Sequence, residues 1–140
     1  MYLIDTNIFI EIMLSRERSE ECKELLSLIR DNKIKGLVTD FTIHLIMILL
    51  ERFGRVKELK MFLLSLRAYK GLWIYYTSIS DELKAVDIVM EGKLDLDDAI
   101  QYSAALATGS QGIISFDRDF DSLEIPRLEP QEVLGKRARK

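Results

Sequence analysis

Two short apolar runs in this chain end abruptly at an aspartate, Tyr2-Leu3-Ile4-Asp5 near the start and Ile113-Ile114-Ser115-Phe116-Asp117 late in the sequence. Apolar runs too short for a helix and rich in β-branched residues are what strands buried on both faces look like. The segments between them carry apolar residues at helical spacing. Strands that alternate with helices pair in parallel through right-handed crossovers. The expected fold class is therefore α/β, a three-layer α/β/α sandwich with a central parallel sheet of four to five strands. Open sheets of this kind bind ligands beyond the carboxyl ends of their strands, which is where Asp5 and Asp117 must lie.

The remaining elements follow from periodicity and punctuation. Strands are predicted over 1–4, 37–39, 72–77 and 113–116, with a possible edge strand at 123–126. A short helix follows at 7–14. Ser19 is read as the cap of a second helix, with Glu20 and Glu21 near its positive end and Cys22, Leu25, Leu26 and Ile29 as its apolar stripe. A third helix begins at Asp40 or Thr42 and stops at Gly54. A fourth carries Leu59, Phe62, Leu63 and Leu66, and a fifth is capped by Ser80 and ended by Gly92. The helix over 97–108 is rich in small residues, which favours close packing on a sheet, and 129–134 reads as a short terminal helical turn. Residues 1–134 form one domain, and 135–140 are a basic tail that either grips phosphates or is simply solvated.

Composition adds limits rather than an answer. At 140 residues, with 48% hydrophobic and 31% charged residues, the chain has the balance of one folded domain. A net charge of −3 does not mark a nucleic-acid binder, but an acidic cleft with a basic rim gives the same sum. The single cysteine, Cys22, has no internal partner for a disulfide and falls in an apolar stripe, so a buried inert thiol is expected. The most apolar stretch, 41–50, is shorter than the roughly 20 residues a membrane-spanning helix needs. No membrane association and a reducing cytoplasmic location are the expectation.

The acids carry the chemistry. Asp5 ends the first strand, Asp98 stands near the start of a helix in Leu96-Asp97-Asp98-Ala99, and Asp117 ends a late strand. Carboxylates drawn together repel one another unless a cation lies between them. Magnesium and manganese prefer such hard oxygen ligands and leave room for a phosphate. The expectation is a divalent-metal site, Mg²⁺ or Mn²⁺, suited to phosphodiester chemistry. Taken singly, Asp5 and Asp98 could equally be helix-capping residues and Asp117 the start of an Asx turn. Thr6, Asn7 and Ser115 are small and polar beside the acids and could orient them, while Asp119 and Asp121 read first as loop or capping residues.

With these segments assembled, the chain resembles the PIN-domain ribonucleases, the family that includes VapC-type toxins. The resemblance covers nearly all of residues 1–134 and rests on Leu3-Ile4-Asp5-Thr6-Asn7, Leu96-Asp97-Asp98-Ala99 and the run from Ile114 to Asp121. It implies a PIN-like fold, a site that binds Mg²⁺ or Mn²⁺, and endonucleolytic hydrolysis of single-stranded RNA. Asp5, Asp98 and Asp117 match the metal-binding catalytic acids, with Thr6, Asn7, Ser115 and Asp121 around them. The family usually carries a glutamate near the start of the helix after the second strand, where this chain aligns Leu45. That departure leaves two readings open, an active ribonuclease (as the toxin of a toxin–antitoxin pair) or a PIN-fold module that binds RNA or protein without cutting.

Other classes fit less well. A receiver domain would need paired acids at the first strand and a lysine ending a late strand; here the first strand offers only Asp5 and no predicted late strand ends in lysine. A two-histidine ribonuclease mechanism is excluded because His44 is the only histidine, and His44 itself reads as a packed core or interface residue. Apolar residues on more than one side of the third and fourth helices suggest a homodimer through them. An antitoxin protein could use similar surface.

Overall fold

The computed structural model describes residues 1–138, with side chains through Lys136. Five parallel strands form one sheet: β1 (Tyr2–Ile4), β2 (Gly36–Thr39), β3 (Leu72–Tyr75), β4 (Gly112–Ile114) and β5 (Arg127–Leu128). Their spatial order is β3-β2-β1-β4-β5, so β1 is central. Around the sheet lie α1 (Thr6–Met13), α2 (Ser19–Arg30), α3 (Asp40–Arg52), α4 (Val56–Ala68), α5 (Ile79–Met90), α6 (Leu96–Thr108) and α7 (Pro130–Ala138).

The two-residue period of a strand sorts the core into two layers. Ile4, Val38 and Ile114 point to one face, where Ile8, Leu25 and Ile46 meet them from α1, α2 and α3. Their neighbours Leu3, Leu37 and Ile113 point to the other, against Ala85 of α5 and Ala99 and Tyr102 of α6. This is the expected three-layer sandwich. The small residues Ala99, Ala104 and Ala105 are fully buried, as close packing of α6 requires.

Several element boundaries differ from the sequence reading. Ser19 is the first residue of α2 rather than its cap, which is Arg18. The α5 cap is Ser78, not Ser80: its hydroxyl accepts the Asp81 N–H at 3.1 Å, and the Asp81 carboxylate accepts the Ser78 N–H at 2.8 Å. This reciprocal box saturates two donors that Ser80 would leave open. The last strand lies later than 123–126. A 3₁₀ turn at Arg118–Ser122 uses up chain, and pairing with Ile113 and Ile114 is made by Arg127 and Leu128. The terminal turn extends into α7, whose Val133 is buried in the core. Of the basic tail, Arg139 and Lys140 lie outside the described residues.

His44 is exposed, not part of the core. Cys22 is fully buried, and burial above all pushes its thiol up to about 12, so it is not a nucleophile. Among the described residues no helix is long and apolar enough to cross a membrane.

Candidate metal centre

Parallel pairing of β1 with β4 sets Ile4 opposite Ile114. The next residues, Asp5 and Ser115, therefore emerge side by side at the carboxyl edge of the sheet. The Ser115 hydroxyl donates to Asp5 Oδ2 at 2.6 Å and accepts the Asp117 N–H at 2.9 Å. One serine thus fixes two of the acids relative to each other, a more specific role than a plain strand-end residue. Asp5 stands at the cap position of α1 but makes no side-chain capping bond. Burial raises its carboxyl above the ordinary value, against the hydrogen bonds from Ser115 and Gln101 that favour the charged form.

Asp98 completes the group from the first turn of α6. The cap of that helix is Asp95, so capping does not account for Asp98. Its side chain is 7% exposed, and its carboxyl is pushed up to about 8, first by burial and then by the charges of Asp5, Asp97 and Asp117. Oxygens of Asp98, Asp117 and Asp119 all lie within 4.8 Å of one another. Asp5 stands close enough behind them for its charge to act on Asp98. Among the described residues, none of these four acids forms an ion pair with a basic side chain.

Such a donor set fits a divalent cation. Two oxygens on opposite sides of one hard cation stand about 4–5 Å apart, matching the spread of the three carboxylates. A carboxyl pushed up by burial and then by neighbouring acids also marks a site that lacks a counter-charge, which an ion would supply.

The polar residues around the acids divide differently from the sequence reading. Thr6 faces inward: its hydroxyl meets the Thr42 hydroxyl at 2.8 Å, and its N–H donates to Gln101 Oε1 at 3.2 Å. Asn7 is exposed, and its side chain makes no hydrogen bond among the described residues. Asp121 does not join the site. Its carboxylate is held by Arg127 at 2.7 and 3.4 Å, because the 3₁₀ turn directs it toward β5.

Three contributors escaped the sequence reading. Asp119, read as a loop acid, is among the clustered carboxylates. Gln101 bonds Asp5 directly, and Thr42 supports Gln101. The signal for Gln101 was present, since it lies three residues after Asp98 and so on the same face of an otherwise small, apolar helix.

No carboxylate from α3 replaces the expected glutamate. Leu45 occupies its aligned position and is 37% exposed, one turn beyond Thr42. Asp40 is committed elsewhere: its Oδ1 accepts from the N–H of Phe41 and from the N–H and hydroxyl of Thr77. A cavity of 430 Å³ between α1, α2 and α4 contains none of the acids.

An open parallel sheet whose carboxyl edge gathers acids defines the class, and the comparisons place the chain within it. The family model for the PIN domain matches residues 2–126. This chain belongs to the PIN domain family. Among solved structures, a toxin–antitoxin complex from Klebsiella pneumoniae aligns with a TM-score of 0.69 at 22% identity, over 93% of this chain and 98% of that one. VapC20 of Mycobacterium tuberculosis, described as a toxin that cleaves the sarcin–ricin loop, aligns with a TM-score of 0.69 at 15% identity, over 87% and 94% of the two chains. VapBC2 of Rickettsia felis, solved with a DNA fragment from its promoter, aligns with a TM-score of 0.65 at 15% identity, over 91% and 96%. No curated protein sequence gives a significant match.

Proposed function

We propose that this chain is a Mg²⁺- or Mn²⁺-dependent endoribonuclease that hydrolyses phosphodiester bonds of single-stranded RNA in the cytoplasm. The observation that carries the reading is the clustering of the Asp98, Asp117 and Asp119 carboxylates within 4.8 Å, with Asp5 near enough for its charge to act on Asp98 and, among the described residues, no basic side chain paired to them. Membership of the PIN domain family supports it.

Asp98 and Asp117 hold the cation, with Asp5 behind them and Asp119 as an additional oxygen donor. When bound, such a cation makes water a usable nucleophile at neutral pH and neutralises charge on the phosphate. Ser115 keeps Asp5 and Asp117 in fixed relation. A cation there would compete with the proton on Asp98, whose carboxyl is pushed up to about 8, so its affinity would rise with pH toward that value.

One observation favours a second reading. Leu45 stands where the family carries a glutamate, and a site short of one carboxylate could bind RNA or protein without cutting it. Purified protein incubated with labelled single-stranded RNA and Mn²⁺ separates the two. The nuclease reading requires slow cleavage that is lost in both Asp5→Asn and Asp98→Asn. RNA binding without cleavage by the wild type would favour the module.

The toxin role of the related complexes leads us to propose an antitoxin partner, with the cavity beside Phe9, Ile12, Leu26 and Phe62 as a seat for its apolar segment. A homodimer is also proposed. Of the apolar residues on α3 and α4, Ile46, Leu50, Phe62 and Leu66 are buried in this chain's own core, whereas Leu45 and Ile48 are exposed and remain open to a partner. A second exposed apolar stripe, Ile79, Leu83, Val86 and Met90, runs at helical spacing along α5. A 16 kDa species in sedimentation at micromolar concentration would contradict the dimer.

A further inference from the structure

Gln101 is a polar side chain, 2% exposed, on α6 between the fully buried Ala99 and Ala104. Burying an amide is costly unless its groups are paired, and here both ends are. Its Oε1 accepts the Thr6 N–H at 3.2 Å and the Thr42 hydroxyl at 3.4 Å, and its Nε2 donates to Asp5 Oδ1 at 3.1 Å. Thr42 is itself held by the Thr39 hydroxyl at 3.2 Å and by Thr6 at 2.8 Å.

These partners leave the amide only one orientation. Turned over, Nε2 would face the Thr6 N–H, donor against donor, and Oε1 would face the Asp5 carboxylate, acceptor against acceptor. The donor aimed at Asp5 Oδ1 is thus fixed by α1 and α3. Ser115 holds Oδ2 from the opposite side. Gln101 and Ser115 hold the two oxygens from opposite sides, the Asn7 N–H adds a further hydrogen bond, and together they keep the carboxylate plane from rotating.

We propose that Gln101 is a positioning residue that orients Asp5 toward the cation through an amide locked by Thr6 and Thr42. This rests on the reading of the acids as a metal site. The network also gives the first turn of α3 a part in the site without a carboxylate. Where the family places a glutamate that could act on the ion, this chain uses the Thr42 hydroxyl to steer Asp5 from behind.

The test is Mn²⁺ affinity by titration calorimetry at fixed pH, with thermal unfolding measured in parallel. The proteins compared are wild type, Asp5→Asn, Gln101→Met, Thr42→Val and Tyr102→Leu. Gln101→Met keeps length and volume but removes both hydrogen-bonding groups, and it should weaken Mn²⁺ binding about 10–100-fold, the usual cost of losing such a support. Thr42→Val should weaken it by a smaller factor, and it decides the matter if the methionine variant does not fold. Tyr102→Leu loosens the same helix without touching the network, so it should lose thermal stability and keep its affinity. Mn²⁺ affinity within twofold of wild type in Gln101→Met, or unchanged in Thr42→Val where Gln101→Met fails to fold, overturns the positioning role while leaving the metal site intact. An equal affinity loss in Tyr102→Leu overturns it as well. Full binding by Asp5→Asn overturns the positioning role while leaving the other acids as the site, and no binding by wild type removes the metal reading and this inference with it.

Discussion

Replacing Asp98 by asparagine should make the metal-free protein more stable while removing its response to metal. Asp98 is buried among acids, with a carboxyl pushed up to about 8 against an ordinary 3.8. Below about pH 4 the group is protonated in both folded and unfolded chains and contributes nothing. Between about pH 4 and pH 8 the folded chain holds a proton that the unfolded chain has released, so stability falls as pH rises, by at most about 1.4 kcal/mol per pH unit. Above pH 8 the deficit is constant. Asparagine has nearly the same shape and no charge, so it removes the deficit. Rearrangement of the open edge and entry of water absorb part of the full gap, and we expect about 2 kcal/mol at pH 8. For a domain of this size that is a rise of roughly 8 °C in Tm. The assay is thermal unfolding in EDTA at pH 5 and pH 8, repeated with excess Mn²⁺. Wild type should melt below the variant in EDTA at pH 8, with a smaller gap at pH 5. Saturating Mn²⁺ should raise wild type by about 2.7 kcal/mol at a hundredfold excess over Kd and leave the variant nearly unmoved. A variant that melts below wild type in EDTA at pH 8, or that gains as much from Mn²⁺, would refute the reasoning.

Other perturbations probe separate links. Leu45→Glu places a carboxylate on the exposed side of α3, one turn beyond Thr42, and should raise both Mn²⁺ affinity and the rate of RNA cleavage; an unchanged rate would show that this position does not face the site. Ser78→Ala breaks the capping box of α5 and should cost about 1 kcal/mol in urea unfolding without altering Mn²⁺ affinity. Cys22 should react with a thiol reagent only as the chain unfolds, and rapid labelling under native conditions would contradict its burial.

How much the sequence disclosed follows from the range of the interactions concerned. The alternation of short apolar strands with amphipathic helices is a local pattern, and it led to the parallel sheet and its layers, whereas the strand order that makes β1 central was not written in it. The strand-terminal acids were legible for the same reason, because a strand's end is local and the topology does the gathering. Ser115 was half legible: its place beside Asp117 was expected, whereas its bond to Asp5 depends on the β1–β4 register. Gln101 was passed over because one polar residue among several on a small-residue helix acquires its role only once Thr6 and Thr42 arrive from other elements. Asp119 and Asp121 look alike in sequence, two acids in one loop. The 3₁₀ turn sends the first toward Asp117 and Asp98 and the second to Arg127, which no local pattern announced.

The most direct test of the account is an anomalous difference map from crystals soaked in Mn²⁺. The account predicts one strong peak at the carboxyl edge of the sheet, about 2.0–2.3 Å from carboxylate oxygens of Asp98 and Asp117. A map with no peak there, or with the ion bound only at some other surface, would contradict it.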